Sequence, residues 1–345
     1  MSRANPSELV IAAAALDHGH IYAQCHSLIH EGARLKWVWE PDEARRAAWL
    51  ERFPACRPAR SLEEVLDDPE VGLVAAAGVP DTRAPLGIRV MQAGKDYFVD
   101  KPGATTLAQL EAVRTAASET GRRFWLYLGE RFSSESAQLA HRLIEEGAIG
   151  TVVQVIGLGP HRLQAEKRPA WFFEREKYGG ILTDLATHQA DLFFLYSGAQ
   201  SAKVLSATVR NSANPQYPGL QDFGEAHVMA DNGATGCFRV DWLTPEGLRT
   251  WGDGRSLILG TEGYIEVRKY IDITRSTDRN HLFLVNREGE RYIQATGTTG
   301  HPAFRRIVGD SLHRTETAIA QEMVFRVAEL AIRCQNRAES PSLSS

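Results

Sequence analysis

Residues Val10–Ala23 read VIAAAALDHGHIYA. An uninterrupted apolar run breaks into Asp17, His18, Gly19 and His20. The chain then resumes as a helix, HIYAQCHSLIHEG, closed by Gly32. A strand that is apolar at every position is buried on both faces, which happens inside a parallel sheet covered by helices. The same alternation continues outward from this stretch. Strand LKWVWE precedes helix PDEARRAAWLERF, with Pro41 near its start. Ser61 and Glu64 have capping-box spacing ahead of a short helix. Then come strand GLVAAAG, helix APLGIRVMQAG, strand DYFVD, helix TLAQLEAVRTAASETG (opened by Thr106, closed by Gly121) and strand RRFWLYL. The expected fold is α/β, with a doubly wound Rossmann-type parallel sheet over residues 1–128.

Residues 129–345 read differently. Helix SSESAQLAHRLIEEG leads to strand TVVQVIGLG, a long irregular loop and helix GGILTDLATHQADLFFLYSG. Strand-like runs follow: KVLSATVRN, GEAHVMA, ATGCFRVDWL, RSLILG, YIEVRKYID, HLFLVN and RYIQA, before a closing helix, ETAIAQEMVFRVAELAIRCQ. Many of these runs alternate, as in an antiparallel or mixed sheet with one face less buried. An α+β domain with a large, mostly antiparallel sheet is expected. Its strands outnumber the helices available to cover them. The uncovered face is an expected subunit interface.

With 345 residues, two domains are the default. The formal net charge of −4 gives no electrostatic reason to expect nucleic acid or an anionic membrane as partner. Cys25, Cys56, Cys237 and Cys334 are far apart and form no C-x-x-C pair, which fits a reduced, cytoplasmic protein. The first residues lack a signal-peptide pattern, and no apolar run approaches the ~18 residues of a membrane span. His18, His20, Cys25, His26 and His30 cluster in sequence without H-E-x-x-H or C-x-x-C spacing, so no metal is expected.

Three places concentrate chemistry. Glu40 ends the second strand about 20 residues after the Gly19 turn; an acid there accepts hydrogen bonds from the adenosine ribose of a dinucleotide and repels a 2′-phosphate. NAD is therefore expected ahead of NADP. The second place is VDKPG, Val99–Gly103, at the carboxyl end of a parallel strand, where open α/β sheets bind ligands. Pro102 biases Lys101 toward an extended backbone. Tyr97 and Lys101 match a Tyr-x-x-x-Lys spacing, but on a strand they stand ~13 Å apart and cannot act as a helical pair. The third place is Gly179–Gly198, where Asp184 and His188 are at i and i+4 on a mostly apolar helix, with Asp191 three residues beyond His188. A buried acid–histidine pair is either satisfied internally or forms a general base with an orienting carboxylate.

Together these residues resemble the glucose–fructose oxidoreductase / inositol dehydrogenase (Gfo/Idh/MocA) family. Its Glu-Lys-Pro motif is similar to Asp100-Lys101-Pro102, within QAGKDYFVDKPGATTLAQLEAV. Its glycine-rich segment with Asp-x-x-x-His is similar to GGILTDLATH, and its late Gly-Thr-x-Gly turn to ILGTEGYIEV. The resemblance implies an NAD(P)-dependent oxidoreductase transferring hydride between nicotinamide and a sugar, polyol or related secondary alcohol, with substrate binding in the second domain and a homodimer or homotetramer built on its open sheet. It implies Lys101, Asp184 and His188 as catalytic residues, with Trp171 joining them against the substrate. It implies Asp17, His18, Gly19, His20, Ile21, Glu40, Val79, Pro80, Asp100, Lys101 and Pro102 as cofactor-binding residues. The first loop departs from the family pattern. Asp17, Gly19 and Tyr22 fall on its three glycine positions, and a carboxylate near a diphosphate is repelled unless screened. Ala23 is the candidate small residue against the strand; His18 and His20, if protonated, offset the acid. Val79-Pro80-Asp81 and Arg83 replace the family's Thr-Pro-Asn and His. These departures keep two rivals open: a non-catalytic sensor or partner-binding protein, and a redox-neutral lyase or glycosidase that retains NAD.

Overall fold

The computed structural model describes residues 8–340. They form two compact units. One runs to Tyr127 and takes in Pro302–Phe325; the other comprises Leu128–His301 and the chain from Arg326. Pro302–Phe325 thus groups with the first unit, whereas the expected division at residue 128 assigned it to the second domain.

The first unit holds six parallel strands: β1 (Val10–Ala14), β2 (Arg34–Trp39), β3 (Arg57–Pro58), β4 (Val71–Ala76), β5 (Asp96–Asp100) and β6 (Phe124–Tyr127). Their order is β3-β2-β1-β4-β5-β6. The chain builds outward from β1 to β3, then restarts on the other side with β4. The β1/β4 junction is therefore the switch point, where the loops leaving adjacent strands diverge and open a crevice. β1 is buried at every position, as its unbroken apolar character requires; β5 is buried throughout as well, although Asp96 and Asp100 stand at its two ends. One helix of this unit, Pro302–His313, was not anticipated. It buries Ala303, Phe304, Ile307 and Val308, and the Phe304 ring lies 6.4 Å from Phe98 and 6.3 Å from Tyr127. The closing helix starts at Gln321, later than expected. Asp310 accepts from the Thr317 and Ala318 N–H groups and the Thr315 hydroxyl, which holds the preceding residues in a turn.

The second unit holds β7 (Val152–Pro160), β8 (Ala202–Arg210), β9 (Phe223–Ala230), β10 (Thr235–Asp241), β11 (Arg255–Gly260), β12 (Gly263–Arg268), β13 (His281–Asn286) and β14 (Gly289–Gln294). The order is β14-β13-β12-β11-β7-β10-β9-β8, antiparallel except for the β7/β10 pair. The helix Ala186–Ser197 lies on β7. Gly157 and Gly159 permit this approach: a Cβ at either would meet Gln189 at 2.8 or 2.7 Å. The opposite face carries the exposed side chains of Val153, Leu257, Leu259 and Tyr264. Among the described residues, no helix is long and apolar enough to cross a membrane.

Candidate active site

In the first unit, the turn after β1 is built around two acids, the buried Glu40 and the half-buried Asp17. Glu40 is 2% exposed, at the end of β2. Its carboxylate accepts from the Leu16 and Asp42 N–H groups at 2.7 and 2.9 Å and from Arg45 at 3.0 Å. Arg45 also lies 3.3 Å from Asp17. Burial, opposed by Arg45 and reinforced by Glu40, raises the Asp17 pKa. The acid on the first glycine position is thus screened by a guanidinium, so its repulsion of a diphosphate is weakened. At Gly19 a Cβ would meet nothing within 4 Å, which leaves open space above the start of the helix His20–His30. Ile21 is buried, and its N–H turns back to the His18 carbonyl at 3.3 Å. Tyr22 does not press on the strand; its ring packs against Trp49 and Phe53. Ala23 is exposed, so it is not the small residue of a close helix–strand contact.

Asp100, at the end of β5, organises the neighbouring turn. Its carboxylate lies 3.1 Å from His18 Nδ1, 2.8 Å from His20 Nδ1 and 3.3 Å from Arg83, and accepts from the Lys101 N–H at 2.9 Å. Burial opposes its ionisation, yet His20, Arg83 and His18 together hold its pKa well below the usual carboxylate range. Burial and the neighbouring His20 lower the His18 pKa to about 4, against the pull of Asp100. Arg83 is 1% exposed. It donates to the carbonyls of Gly78, Asp100, Lys101 and Pro102, so one guanidinium ties the β4 loop to the β5 loop. The Lys101–Pro102 peptide is cis, and Lys101 is buried. Val79 caps the helix Pro80–Gln92 and Pro80 is its first residue, which places both beside the β1/β4 switch point. His18, His20 and Asp100 also form the one group among the described residues whose side chains could hold a metal ion, a grouping that the sequence spacing did not reveal. Arg83 on the same carboxylate works against that use.

In the second unit, the segment expected as one helix is two: Ile181–Asp184 and Ala186–Ser197, broken at Leu185. Gly179 and Gly180 precede them with φ of 84° and 89°. A Cβ on Gly180 would meet the Gln335 amide at 2.2 Å, and Gln335 Oε1 accepts from the Leu182 N–H at 2.9 Å. Asp184 is half-buried and His188 is 6% exposed. Asp191 does not extend this pair. Arg131 takes its carboxylate at 2.6 and 3.0 Å. Trp171 lies half-buried on the turn Ala170–Phe173, with its ring 6.0 Å from Phe172. Two site residues escaped the sequence reading in the roles they hold here. Arg45 gave no signal beyond an exposed helix, and Arg83 stood out only as a departure from a familiar loop.

The description "oxidoreductase family, NAD-binding Rossmann fold" matches residues 14–128, and "GFO/IDH/MocA C-terminal domain" matches residues 137–266. A solved protein from Erwinia carotovora atroseptica SCRI1043 is 44% identical and superposes with a TM-score of 0.94, over 96% of this chain and 99% of that one. Scyllo-inositol 2-dehydrogenase (NAD(+)) from Bacillus subtilis is 29% identical over 68% of this chain and 66% of its own length. D-xylose dehydrogenase from Paenarthrobacter nicotinovorans is 26% identical over 60% of this chain and 53% of its own. The match thus spans between about half and two thirds of these two curated relatives.

Proposed function

The chain belongs to the Gfo/Idh/MocA oxidoreductase family, whose first domain is an NAD-binding Rossmann fold, and from that premise we propose that it oxidises a secondary alcohol of a sugar or polyol, or reduces the matching ketone, with NAD as cofactor. The observation that carries this reading is the buried Lys101 at the end of β5, held by the Asp100–Arg83 network, in a unit whose Glu40 ends β2. These features support a cofactor site: Gly19 leaves open space, Arg45 screens Asp17, and Glu40 ends β2, the position from which an acid in this type of fold accepts from ribose hydroxyls. That last position is the reason for preferring NAD to NADP.

When bound, the nicotinamide supplies the hydride chemistry. The chain's residues do the rest. Lys101 donates a hydrogen bond to the reacting oxygen and stabilises the negative charge that develops there. His188 takes the hydroxyl proton in the oxidative direction, and Asp184 orients its ring. Trp171 offers an aromatic face to the sugar. The Arg83 donors to the Lys101 and Pro102 carbonyls fix the backbone from which Lys101 projects. The four free cysteines suit the reducing cytoplasm. The exposed apolar face of the second sheet suits a homo-oligomer.

The test is a screen of polyols and aldoses for NADH formation, run beside Lys101→Ala. Turnover in the wild type and a loss of at least about a hundredfold in the variant, with binding of cofactor kept, is the expected result. Equal turnover by the variant removes Lys101 from the reaction. Tightly retained NAD without net NADH production would favour the redox-neutral reading instead.

A further inference from the structure

Arg168 lies at the head of the aromatic loop of the second unit. Three rings enclose its guanidinium: Phe172 at 4.5 Å, Trp242 at 5.0 Å and Trp251 at 5.3 Å. Its Nε donates to the Leu163 carbonyl at 2.8 Å and one Nη2 hydrogen to the Arg162 carbonyl at 3.3 Å. Those two bonds occupy one edge of the planar fork. Among the described residues, neither Nη1 hydrogen has a partner. The end of the fork, with one N–H from each Nη, is left open.

This open end belongs to the neighbourhood of the Asp184–His188 segment. Trp242 directly follows β10, and His161, whose ring is 5.4 Å from Trp242, directly follows β7. The two strands are parallel, so these residues leave the same end of the sheet. Gln189, next to His188, lies over Gly159 near that end of β7. Phe172 stacks on Tyr178 at 6.4 Å. The charge of Asp184 is felt at both Arg168 and Tyr178.

We propose that Arg168 is a specificity-determining residue and that the substrate is a polyhydroxylated molecule carrying a carboxylate, which the open end of the guanidinium receives in a two-pronged contact. The proposal rests on the function given above and narrows its substrate class. Three features favour a carboxylate. The fork is rigid, because rings and carbonyls fix it before any ligand arrives, so little freedom is lost on binding. It is partly stripped of water, since burial lowers its pKa even against the pull of Asp184 and Glu166, and charge-assisted bonds strengthen in such surroundings. The same two acids disfavour a dianionic phosphate, for which a single guanidinium is a weak match.

The test is titration calorimetry of the whole protein with D-gluconate, D-glucuronate, D-glucose and D-glucose 6-phosphate, repeated on Arg168→Met and Arg168→Lys after circular dichroism has established folding. At least one carboxylate should bind about tenfold or more tightly than glucose, the scale of one charge-assisted contact. Arg168→Met should erase that preference, and Arg168→Lys should recover part of it. Three results overturn the proposal: carboxylates bound no better than glucose or not at all, glucose 6-phosphate bound more tightly than both, or Arg168→Met weakening neutral and acidic ligands equally. Separate titration with NAD and NADH reports on the oxidoreductase reading, so its failure is distinguishable from failure of the carboxylate assignment.

Discussion

Arg83 shows how much one side chain carries. It neutralises Asp100 and fills four carbonyl acceptors around the Lys101 turn. Arg83→Met leaves the buried carboxylate and the carbonyls without that partner, and should cost roughly 3–5 kcal/mol of stability, measured by urea unfolding. A loss below about 1 kcal/mol would mean the turn is held by something else. His18 gives a pH signature. Its folded pKa is depressed to about 4 from the ordinary 6.5. Above pH 6.5 it is neutral in both states and costs nothing. Between pH 6.5 and 4 the unfolded chain takes up a proton that the folded chain refuses, so stability falls as pH falls. Relative to His18→Asn, the wild type should lose roughly 3 kcal/mol between pH 7 and 4; parallel curves would refute the assignment. At this scale the sequence was uneven. Lys101, Pro102, Asp184 and His188 stood out in the sequence because their spacing has a chemical reason, and their roles remain the proposal made above. Arg83 was not, because an arginine in a helix usually faces solvent and nothing local announces that two loops will close over it. Asp191 misled for the converse reason: helical spacing put it near His188, while Arg131 from another element claimed it.

Among the elements, the segment leading to Asp184 and His188 depends on a glycine. Gly180 has φ 89° and ψ 154°, a region closed to residues with a Cβ, and the Gln335 amide occupies the space a Cβ would need. Gly180→Ala should destabilise by roughly 2–4 kcal/mol through backbone strain and overpacking. Removing the clash partner with Gln335→Ala should make the double variant less damaged than the sum of the two single ones, by about 1 kcal/mol or more. Simple additivity in thermal unfolding would show that the two do not meet. The helices and strands of the first domain could be read because two periodicities alternate cleanly there, with capping residues at the ends. The helix Pro302–His313 was missed although Phe304, Ile307 and Val308 mark a buried stripe. Gly309 and flanking polar residues broke its pattern, and its partner surface is some 200 residues away in sequence.

Across the whole molecule, two statements remain to be tested. The first concerns assembly. Leu259 and Tyr264 are paired across β11 and β12, and with Val153 and Leu257 they leave an apolar patch on a sheet face. If that face joins subunits, Leu257→Asp with Leu259→Asp should shift sedimentation to a monomer while leaving the far-ultraviolet spectrum intact; an unchanged oligomer would place the interface elsewhere. The second is the central claim, that a loop lacking two of three customary glycines still binds a nicotinamide dinucleotide because Arg45 screens Asp17 and Gly19 leaves open space. Calorimetric titration with NAD, NADH, NADP and NADPH, after mass spectrometry for copurified cofactor, tests it most directly. Micromolar or tighter binding of NAD(H), weaker for NADP(H), is the predicted result. No binding of any of the four by folded, cofactor-free protein would contradict the account and make the Asp-His-Gly-His turn a lost site.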